Sequence, residues 1–450
     1  MKIKQVVFLA DQARGASSIL PGLEQLGLQI CDHFSSNDNG AESLLVCRQG
    51  FVATPSGSTL IRQALSKGCS VLLDTGNCSS VLEELRQTGG LCQETRENLA
   101  AQALYSCLEI DARQLAALQA GKDRMPRYVV SAFEKVQDLR YGENWHQRAA
   151  LYRKKDAMGL HRSKKLNGRE MSYNNVVDAE TVLEMLIDLS QYDGFKIKKA
   201  LSVIVKHANP CGAAYDSMLA EAFRLSFATD PKSAFGGVIG FNRPVDVDTA
   251  RAIGDSFVEV LLAPGYDPDA LRLLTEKKPN RRILDIGDLL ERADELYRGY
   301  YLKSIFGGMM LQDYDTEDLK EWKVVTSRLP SEAETRALRF AWKIAKYVKS
   351  NALVYTTENQ TIGIGSGQVS RVDSARFGAE KAEEHGLCTT GTVAATDSFF
   401  PFRDGLDETF KAGATAVIHP GGSIRDGEVI DAANEHGMAM VFTGMRHFRH

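Results

Sequence analysis

Short apolar runs, rich in β-branched residues, alternate along this chain with longer stretches in which apolar residues recur every three or four positions. The longer stretches predict amphipathic helices, most clearly at residues 179–189, 331–348 and 374–385. The short runs predict strands at residues 5–9, 70–73, 201–205, 238–241, 352–355, 361–364, 416–418 and 439–442. Strands that alternate with helices in this way favour an α/β fold with parallel or mixed sheets. No sequence repeat is visible.

The length of the chain and its glycine- and proline-containing breaks predict several domains. The 450 residues correspond to about two to four domains. A polar stretch with glycine and proline at 121–126 predicts one boundary, and the Gly307-Gly308 pair predicts another. We therefore expect an N-terminal α/β domain at 1–125 and two further units at 126–305 and 306–450. Eight of the nine histidines follow residue 125, which places the chemistry in the later units.

The charge balance argues against a polyanionic partner. The chain has 54 basic and 58 acidic residues and a formal net charge of −4, so we expect no nucleic acid partner. No stretch reaches the ~20 apolar residues that span a bilayer, and Asp11 soon breaks the apolar N-terminal run. We expect a cytoplasmic protein without membrane association. The eight cysteines form no Cys-x-x-Cys pair, so we expect reduced thiols and no zinc site.

The residues that end the predicted strand 201–205 are the strongest candidates for catalysis. Lys206 and His207 close the strand, and a turn follows at 208–212. A lysine supplies a fixed positive charge, and an adjacent histidine accepts a proton near neutral pH. Ligands of α/β sheets bind at strand ends. On the residues alone, a solvated lysine and a hydrogen-bonded turn histidine remain the alternative.

The segment 139–147 is a candidate for phosphate binding, and the C-terminal tail is a further candidate for the chemistry of the site. Arg140 offers a planar guanidinium, and Tyr141 a ring that stacks or donates a hydrogen bond; a loop packed on the core is the alternative. The tail 446–450 is basic and follows an apolar strand. It is therefore either held against the protein or solvated.

Two further segments are candidates for ligand binding. Gly363, Gly365 and Gly367 allow the backbone to approach a ligand closely, with an ordinary glycine-rich turn as the alternative. The strands around them form a predicted hairpin that brings Asn351 near residues 365–371. The segment 397–405 contains three phenylalanines around a proline. It suits a flat pterin ring, or else forms a corner of the core.

Several motifs, each weak alone, follow one another in order along the chain. They are LRYGEN at 139–144, SYNNVVDA at 172–179, KHANPCG at 206–212, DPKSAFGG at 230–237, KSNA at 349–352, GSGQVSR at 365–371, FFPFRD at 399–404, HPGGSIRD at 419–426 and RHFRH at 446–450. The ordered set closely resembles the transformylase part of the bifunctional aminoimidazole carboxamide ribonucleotide (AICAR) formyltransferase/IMP cyclohydrolase family. The fit runs from about residue 126 to the last residue.

The resemblance implies a fold, a reaction and partners. The fold is two cytidine-deaminase-like subdomains without zinc, preceded by a small α/β N-terminal domain. The reaction transfers a formyl group from the co-substrate 10-formyltetrahydrofolate to the 5-amino group of AICAR, in purine (IMP) biosynthesis. The implied assembly is a homodimer with shared active sites. Family structures also carry a potassium ion on backbone carbonyls, at residues that the sequence does not identify.

The resemblance also implies roles for single residues. His207 would accept the proton of the attacking amine, and Lys206 would stabilise the oxyanion or protonate the folate leaving nitrogen. Asn351 and Arg371 match ligands of the carboxamide. The other matches line the pocket: Arg140, Tyr141 and Arg446 at the phosphate and ribose, Asn175, Gly236, Glu259 and Phe448 around the nucleotide, and Phe399 and Asp404 on the folate side.

The first ~120 residues depart from the resemblance. The family's cyclohydrolase domain carries a Lys-Thr-Leu-His-Pro segment near a Gly-Gly-Arg turn, and neither occurs before residue 126. We therefore expect formyl transfer without cyclohydrolase activity. A bifunctional enzyme and a non-catalytic nucleotide- or folate-binding relative are the alternatives. Trp145 stands where the family usually has proline, which can reshape the loop after Tyr141.

Overall fold

The computed structural model describes residues 2–9, 19–31, 42–52, 54–74, 78–121, 125–190, 199–276 and 278–450. These residues divide into two compact units, Met1–Glu134 and Lys135–His450. The centre of the expected boundary at 121–126, residues 122–124, lies outside the described residues.

The first unit is built on a parallel sheet. Its strands are β1 (Gln5–Leu9), β2 (Gln29–Cys31), β3 (Ser43–Arg48) and β4 (Ser70–Asp74), in the order β2-β1-β3-β4. Its helices are α1 (Leu20–Gln25), α2 (Gln49–Val52), α3 (Pro55–Ser66), α4 (Ser79–Thr88) and α5 (Gln93–Gln119). Successive strand residues such as Val6 and Val7 belong to two different core clusters. Both faces of the sheet are therefore buried, as a parallel sheet requires.

The second unit contains two six-stranded mixed sheets. The first has the order β7-β12-β11-β10-β8-β9, with strands β7 (Lys164–Asn167), β8 (Ala200–Lys206), β9 (Asn209–Asp216), β10 (Val238–Phe241), β11 (Val260–Ala263) and β12 (Arg282–Asp285). The second has the order β15-β20-β19-β18-β16-β17, with strands β15 (Lys323–Val324), β16 (Leu353–Thr356), β17 (Thr361–Gly365), β18 (Val393–Thr396), β19 (Ala416–His419) and β20 (Ala439–Phe442).

Helices and two small ribbons complete this unit. The helices are α6 (Tyr173–Ser190), α7 (Leu219–Thr229), α8 (Pro231–Ala234), α9 (Val247–Ile253), α10 (Pro268–Glu276), α11 (Ala293–Leu296), α12 (Glu332–Ala345), α13 (Arg371–Glu384), α14 (Arg403–Lys411) and α15 (Asp426–Glu435). The ribbons pair β5 (Glu134–Leu139) with β6 (Ala149–Arg153), and β13 (Tyr301–Ile305) with β14 (Gly308–Gln312). None of the helices in the described ranges is both long and apolar enough to cross a membrane.

The two six-stranded sheets share one plan. Each begins with a short antiparallel outer strand, continues with three parallel strands, and ends in an antiparallel pair. The final pairs are the hairpins β8–β9 and β16–β17. The duplication is therefore visible in strand pairing, although no repeat is visible in the sequence.

The edge strands β9 and β17 join the two sheets. Ala214 and Gln360 form an antiparallel bridge, and the Tyr215 N–H donates to the Asn359 carbonyl at 2.9 Å. Because the strands run antiparallel, the start of β9 lies beside the end of β17. The junction thus brings the turn before β9 to the same edge as the residues flanking β16 and β17.

Helices α6 and α12 supply the largest core. They pack against each other and against their own sheets, and Val182, Leu338 and Trp342 are almost completely buried there. Ser331 begins α12 with a capping box, since its hydroxyl accepts the Glu334 N–H and the Glu334 carboxylate accepts the Ser331 N–H. The helix predicted at 331–348 is present, with Ser331 as its cap, but it ends at Ala345.

The turn expected at 208–212 is shorter than the sequence suggests. Only His207 and Ala208 form the corner, and β9 begins at Asn209. The sequence does not predict this strand because it contains Pro210, and proline has no N–H to donate to a neighbouring strand. It is accommodated at a register shift between Ile204 and Val205 of the partner strand.

Candidate active site

A two-residue turn between β8 and β9 carries the predicted catalytic pair. Lys206 pairs with Asn209, so His207 and Ala208 form the corner. Both corner residues have a φ of +56°, and two successive left-handed residues characterise a type I′ turn. Such corners are usually Asn-Gly, because a Cβ disfavours the left-handed region. Here both positions carry side chains, so contacts outside the turn must support its conformation.

Lys206 and His207 have different surroundings. Lys206 is half-buried, and its Nζ donates to the Phe235 carbonyl at 2.7 Å. The next residue, Gly236, has a φ of +74°, and its N–H donates to the Phe257 carbonyl at 2.7 Å. His207 is exposed at the corner. The ammonium group is therefore held beside the Gly236 backbone, while the imidazole is open to solvent.

Two segments fix the 206–209 turn. Asp178 on α6 is 8% exposed; its Oδ2 accepts the His207 N–H at 3.2 Å, and its Oδ1 accepts the Ala208 N–H at 2.7 Å. Burial raises the pKa of the Asp178 carboxyl, and the two amides act in the opposite direction. At the other end, Asn209 Oδ1 accepts the Lys349 N–H at 3.0 Å. The turn is thus tied both to α6 and to the segment before Asn351.

Asn175 and Glu259 meet beside a buried cation. Asn175 Nδ2 donates to Glu259 Oε2 at 2.6 Å, and Arg282 Nη1 lies 3.7 Å from the same oxygen. Arg282 is buried; burial lowers its pKa, and the charge of Glu259 opposes that shift. The sequence-predicted pair is therefore together, next to an arginine that sequence reasoning missed.

Arg140 and Tyr141 lie at the same end of α6. The Arg140 guanidinium is exposed and sits 5.4 Å from the centre of the Tyr141 ring. The Tyr141 carbonyl accepts the N–H of Tyr173, the first residue of α6, at 3.1 Å. Both side chains interact electrostatically with Arg282. This end of α6 therefore combines two guanidinium groups, an arrangement that suits a phosphate.

Asn351 and Arg371 are in contact at the start of α13. Arg371 is 8% exposed, and its Nη2 donates to Asn351 Oδ1 at 3.0 Å. Its Nη1 donates to Asp397 Oδ1 and to Thr396 Oγ1, both at 2.6 Å, and its Nε to the Phe399 carbonyl at 3.1 Å. We call Asn351, Arg371 and Asp397 the Arg371 cluster. Most of the donors of Arg371 are already engaged within the chain.

Two of the glycines expected to face a ligand face a helix instead. A Cβ on Gly363 would lie 2.1 Å from the Gly378 carbonyl oxygen, and a Cβ on Gly365 would lie 1.9 Å from that of Ser374. Helix α13 therefore rests directly on β17 and occupies the space that sequence reasoning gave to a ligand. Gly367 differs, because its φ is +65° and its missing Cβ would meet open space.

A cavity of about 350 Å³ opens beside Phe399, and its lining includes Glu321, Phe442 and Arg446. We call it the Phe399 cavity. The Arg446 guanidinium also lies 4.5 Å from the centre of the Phe448 ring. Lys206, His207, Asp404 and Phe448 are not among its lining residues. Asp404 is exposed in the first turn of α14, where its carboxylate accepts the Gly405 N–H at 2.7 Å.

The C-terminal tail is held against the protein. His447 is 2% exposed; its Nδ1 lies 2.6 Å from Asp315 Oδ2, and its Nε2 lies 2.9 Å from the Asp318 carbonyl oxygen. Arg449 pairs with Glu184 at 2.8 Å. Arg446 and Phe448 therefore project from an anchored segment, and the solvated alternative is wrong.

Contacts connect about half of the predicted site residues into one path. It runs from the 206–209 turn through Lys349 to the Arg371 cluster, and from Arg371 to the Phe399 cavity. Three charged residues were missed: Asp178 and Asp397 on this path, and Arg282 beside Glu259. Asp178 stands inside the 172–179 motif, so its helical position beside a strand end was the available signal. Within the described residues, no group of three or more His, Cys, Asp or Glu side chains is placed to hold a metal.

Comparison with known proteins identifies the family. A family model described as AICARFT/IMPCHase bienzyme matches residues 66–381. The chain belongs to the AICARFT/IMPCHase bienzyme family. Two similar proteins, each named bifunctional purine biosynthesis protein PurH, come from Acidithiobacillus ferrooxidans and Persephonella marina. They are 44% and 43% identical over 406 and 402 residues, which is 88% of this chain and 75% and 76% of theirs. A PurH from Chloroflexus aurantiacus is 45% identical over 88% of this chain and 74% of its own.

These matches correct one expectation. The sequence led us to expect no cyclohydrolase activity, because the first ~120 residues lack two of the family's segments. However, the bienzyme family match already begins at residue 66, and relatives aligned over 88% of the chain are named bifunctional. The expectation is therefore in conflict with the family membership. Two missing segments were too narrow a basis for it.

Proposed function

We propose that this protein transfers a formyl group from 10-formyltetrahydrofolate to the 5-amino group of AICAR. The contact path from the 206–209 turn to the Arg371 cluster and the Phe399 cavity carries the proposal. It brings a histidine, a lysine, an arginine–asparagine pair and an aromatic cavity onto one edge, in a chain of the bienzyme family. The products are the formylated nucleotide and tetrahydrofolate.

His207 acts as the general base in this proposal. The amine of AICAR is aromatic and weakly nucleophilic, so its attack on the formyl carbon needs a proton acceptor. The carbon–nitrogen bond forms while the amine proton moves to the imidazole. The exposed corner position of His207 supports this role, because the ring is open to an incoming ligand.

Lys206 stabilises the tetrahedral intermediate. Attack places a negative charge on the formyl oxygen, and a fixed ammonium lowers the energy of that charge. The bond from carbon to the folate nitrogen then breaks, and that nitrogen takes up the proton that His207 removed from the amine. The hydrogen bond of Lys206 to the Phe235 carbonyl supports this role, since it holds the ammonium beside Gly236.

Other residues bind the two substrates. Asn351 and Arg371 take the carboxamide, and Arg140, Tyr141 and Arg446 take the phosphate and ribose. Asn175, Gly236, Glu259 and Phe448 complete the nucleotide pocket. Phe399 and Asp404 take the folate, whose flat ring suits an aromatic wall. The main support is chemical: cations for a phosphate at α6, and an aromatic cavity of about 350 Å³ beside a guanidinium.

The decisive assay measures tetrahydrofolate release with AICAR and 10-formyltetrahydrofolate. We expect turnover by the wild type and a loss of at least 100-fold in His207→Ala, the size of effect of removing a general base. Nucleotide binding by calorimetry should change little. Replacing the half-buried His161, which lies outside the predicted site, by Ala is the control. Full turnover in His207→Ala would refute the role of the imidazole, and no turnover in the wild type would refute the function.

Ring closure of the formylated nucleotide to IMP is the second candidate function. The names of the relatives and the match from residue 66 favour it. The parallel α/β sheet of the first unit is a fold able to carry a separate site. Purified protein given the formylated nucleotide should form IMP, which is followed by absorbance. Absence of IMP would leave formyl transfer as the only activity.

We also propose that two copies pair and share their active sites. The ribbon β13–β14 supports pairing, because Ile305, Phe306, Met309 and Met310 are all at least half exposed, and such apolar patches mark protein interfaces. Analytical ultracentrifugation should give a dimer. Phe306→Ser should weaken it, and a monomeric wild type would contradict the pairing.

A further inference from the structure

The conformation of the 206–209 turn is not explained by its own residues. A type I′ corner needs two left-handed residues, and glycine usually supplies one of them. His207 and Ala208 both adopt a φ of +56° although both carry a Cβ. Left alone, this sequence would favour other turn geometries, and His207 would point elsewhere.

Asp178 supplies the missing support. It is buried, and each of its two carboxylate oxygens accepts one of the two corner amides. This pairing requires both amides to point at α6, which is the arrangement that the left-handed corner produces. A charged acceptor makes stronger hydrogen bonds than a neutral one. The carboxylate therefore selects the turn geometry.

Helix α6 provides a rigid base for this contact. Ala179 and Val182, one and four residues after Asp178, are completely buried in the largest core cluster. The buried helix thus fixes the position of the Asp178 carboxylate, and the carboxylate fixes the turn. The other end of the turn is tied to Lys349 by Asn209.

We propose that Asp178 is a positioning residue for formyl transfer: it holds the corner in the conformation that presents His207 and Lys206 to the nucleotide amine. The inference rests on the proposed function, but adds a residue to which neither family resemblance nor motif assigned a role. Asp178 itself does not need to touch the substrate.

The test replaces Asp178 by Asn in the full-length protein. The amide has the same size, but it offers one acceptor to two N–H donors and sets its own NH₂ against the other. We expect kcat to fall at least 10-fold, while the KM for AICAR changes less than threefold. Hydrogen exchange of the peptide that contains residues 206–209 should become faster. A merely structural role would instead lower the amount of folded protein without a selective effect on kcat.

A second substitution tests the mechanism. Glycine at position 208 adopts a positive φ without a steric penalty, so Asp178→Asn combined with Ala208→Gly should recover at least threefold of the lost kcat. The matched control is Asp246→Asn, because the Asp246 carboxylate also accepts a backbone amide, that of Thr249 at 2.7 Å, but at the start of α9. This control should keep full kcat.

The outcomes separate the two proposals. If the wild type is active, two outcomes would overturn the positioning role. One is an unchanged kcat in Asp178→Asn, and the other is no recovery of kcat when Ala208→Gly is added. A wild type without formyl transfer would overturn the proposed function. Hydrogen exchange of residues 206–209 in Asp178→Asn would still test whether Asp178 stabilises the turn. If Asp178→Asn fails to fold, Asp178→Glu keeps the charge but displaces the oxygens, and a full kcat there would also overturn the inference.

Discussion

His419 is a completely buried histidine whose environment favours the neutral ring. Its Nδ1 accepts the Gly421 N–H at 3.1 Å, and its Nε2 faces the Met440 sulfur at 3.4 Å. Burial lowers the pKa of His419 to about 3, and the positive charge of Arg371 acts in the same direction. A proton on this ring would have no acceptor at Nδ1, so the folded state excludes it.

This burial predicts acid sensitivity. In the unfolded chain the imidazole binds a proton below its ordinary pKa of 6.5, whereas in the folded protein it does so only below about 3. The contribution to the free energy of unfolding is therefore present above pH 6.5 and is lost at about 1.4 kcal/mol per unit as the pH falls. Denaturant unfolding between pH 7 and 5 measures it. His419→Gln should flatten the slope, and the exposed His146→Gln should not; equal slopes in all three would contradict the prediction.

The residue scale also shows what the sequence could reveal of the site. Lys206, Asn351 and Arg371 stand next to recognisable strand ends and turns, so motif reading could select them as candidates. Asp178 and Asp397 act through backbone amides and a buried guanidinium. No local pattern distinguishes such a carboxylate from a solvated one, because its role depends on residues distant in sequence.

At the scale of elements, the packing of α13 on β17 sets the position of Arg371. Gly363 and Gly365 leave room for the helix backbone, and Arg371 is the first residue of that helix. The repeated glycines of this strand thus serve the site indirectly.

We predict that substitution of two neighbouring glycines differs in cost. Gly365→Ala places a Cβ 1.9 Å from the Ser374 carbonyl oxygen, so α13 must move, and we expect a loss of roughly 2 kcal/mol or more in the free energy of unfolding together with weaker AICAR binding. Gly367→Ala meets only open space and should cost about 1 kcal/mol through its left-handed φ. Urea unfolding and calorimetry compare the two. Equal effects would contradict the packing argument.

Elements with strong apolar patterns were predictable, and those without were not. The strands at 5–9, 238–241 and 439–442 have the expected bounds. The last two are runs in which every residue is buried, with no polar interruption. β9 was missed since its first residues are Asn209 and Pro210, which usually signal a turn. Its pairing with β8 and its burial against β17 override that local preference.

At the scale of the whole molecule, each unit has its own hydrophobic core. Among the described residues, two buried clusters draw only on residues between Ile3 and Cys107, and three others only on residues between Leu139 and Phe442. Cooperative unfolding follows such cores. The chain should therefore unfold in two steps.

Matched core substitutions test the two steps. Leu45→Ala in the first unit and Leu353→Ala in the second each remove a completely buried side chain, and each should cost about 2–5 kcal/mol. Scanning calorimetry should show Leu45→Ala lowering one transition and Leu353→Ala the other. Leu45→Ala should also keep its rate of tetrahydrofolate release at low temperature. A single transition that both substitutions move would contradict separate cores.

The junction of β9 with β17 has a consequence for the solubility of the second unit. An unpaired sheet edge is a template for aggregation, and proteins usually blunt it with charges or irregularities. Both of these strands are largely buried and mostly apolar. Pro210, with the register shift beside it, and Asp216 protect only the ends of β9, and along the rest of their length the two strands shield each other. A chain cut between the two sheets would expose both aggregation-prone strand edges at once. The two halves are therefore needed together for solubility, independently of catalysis.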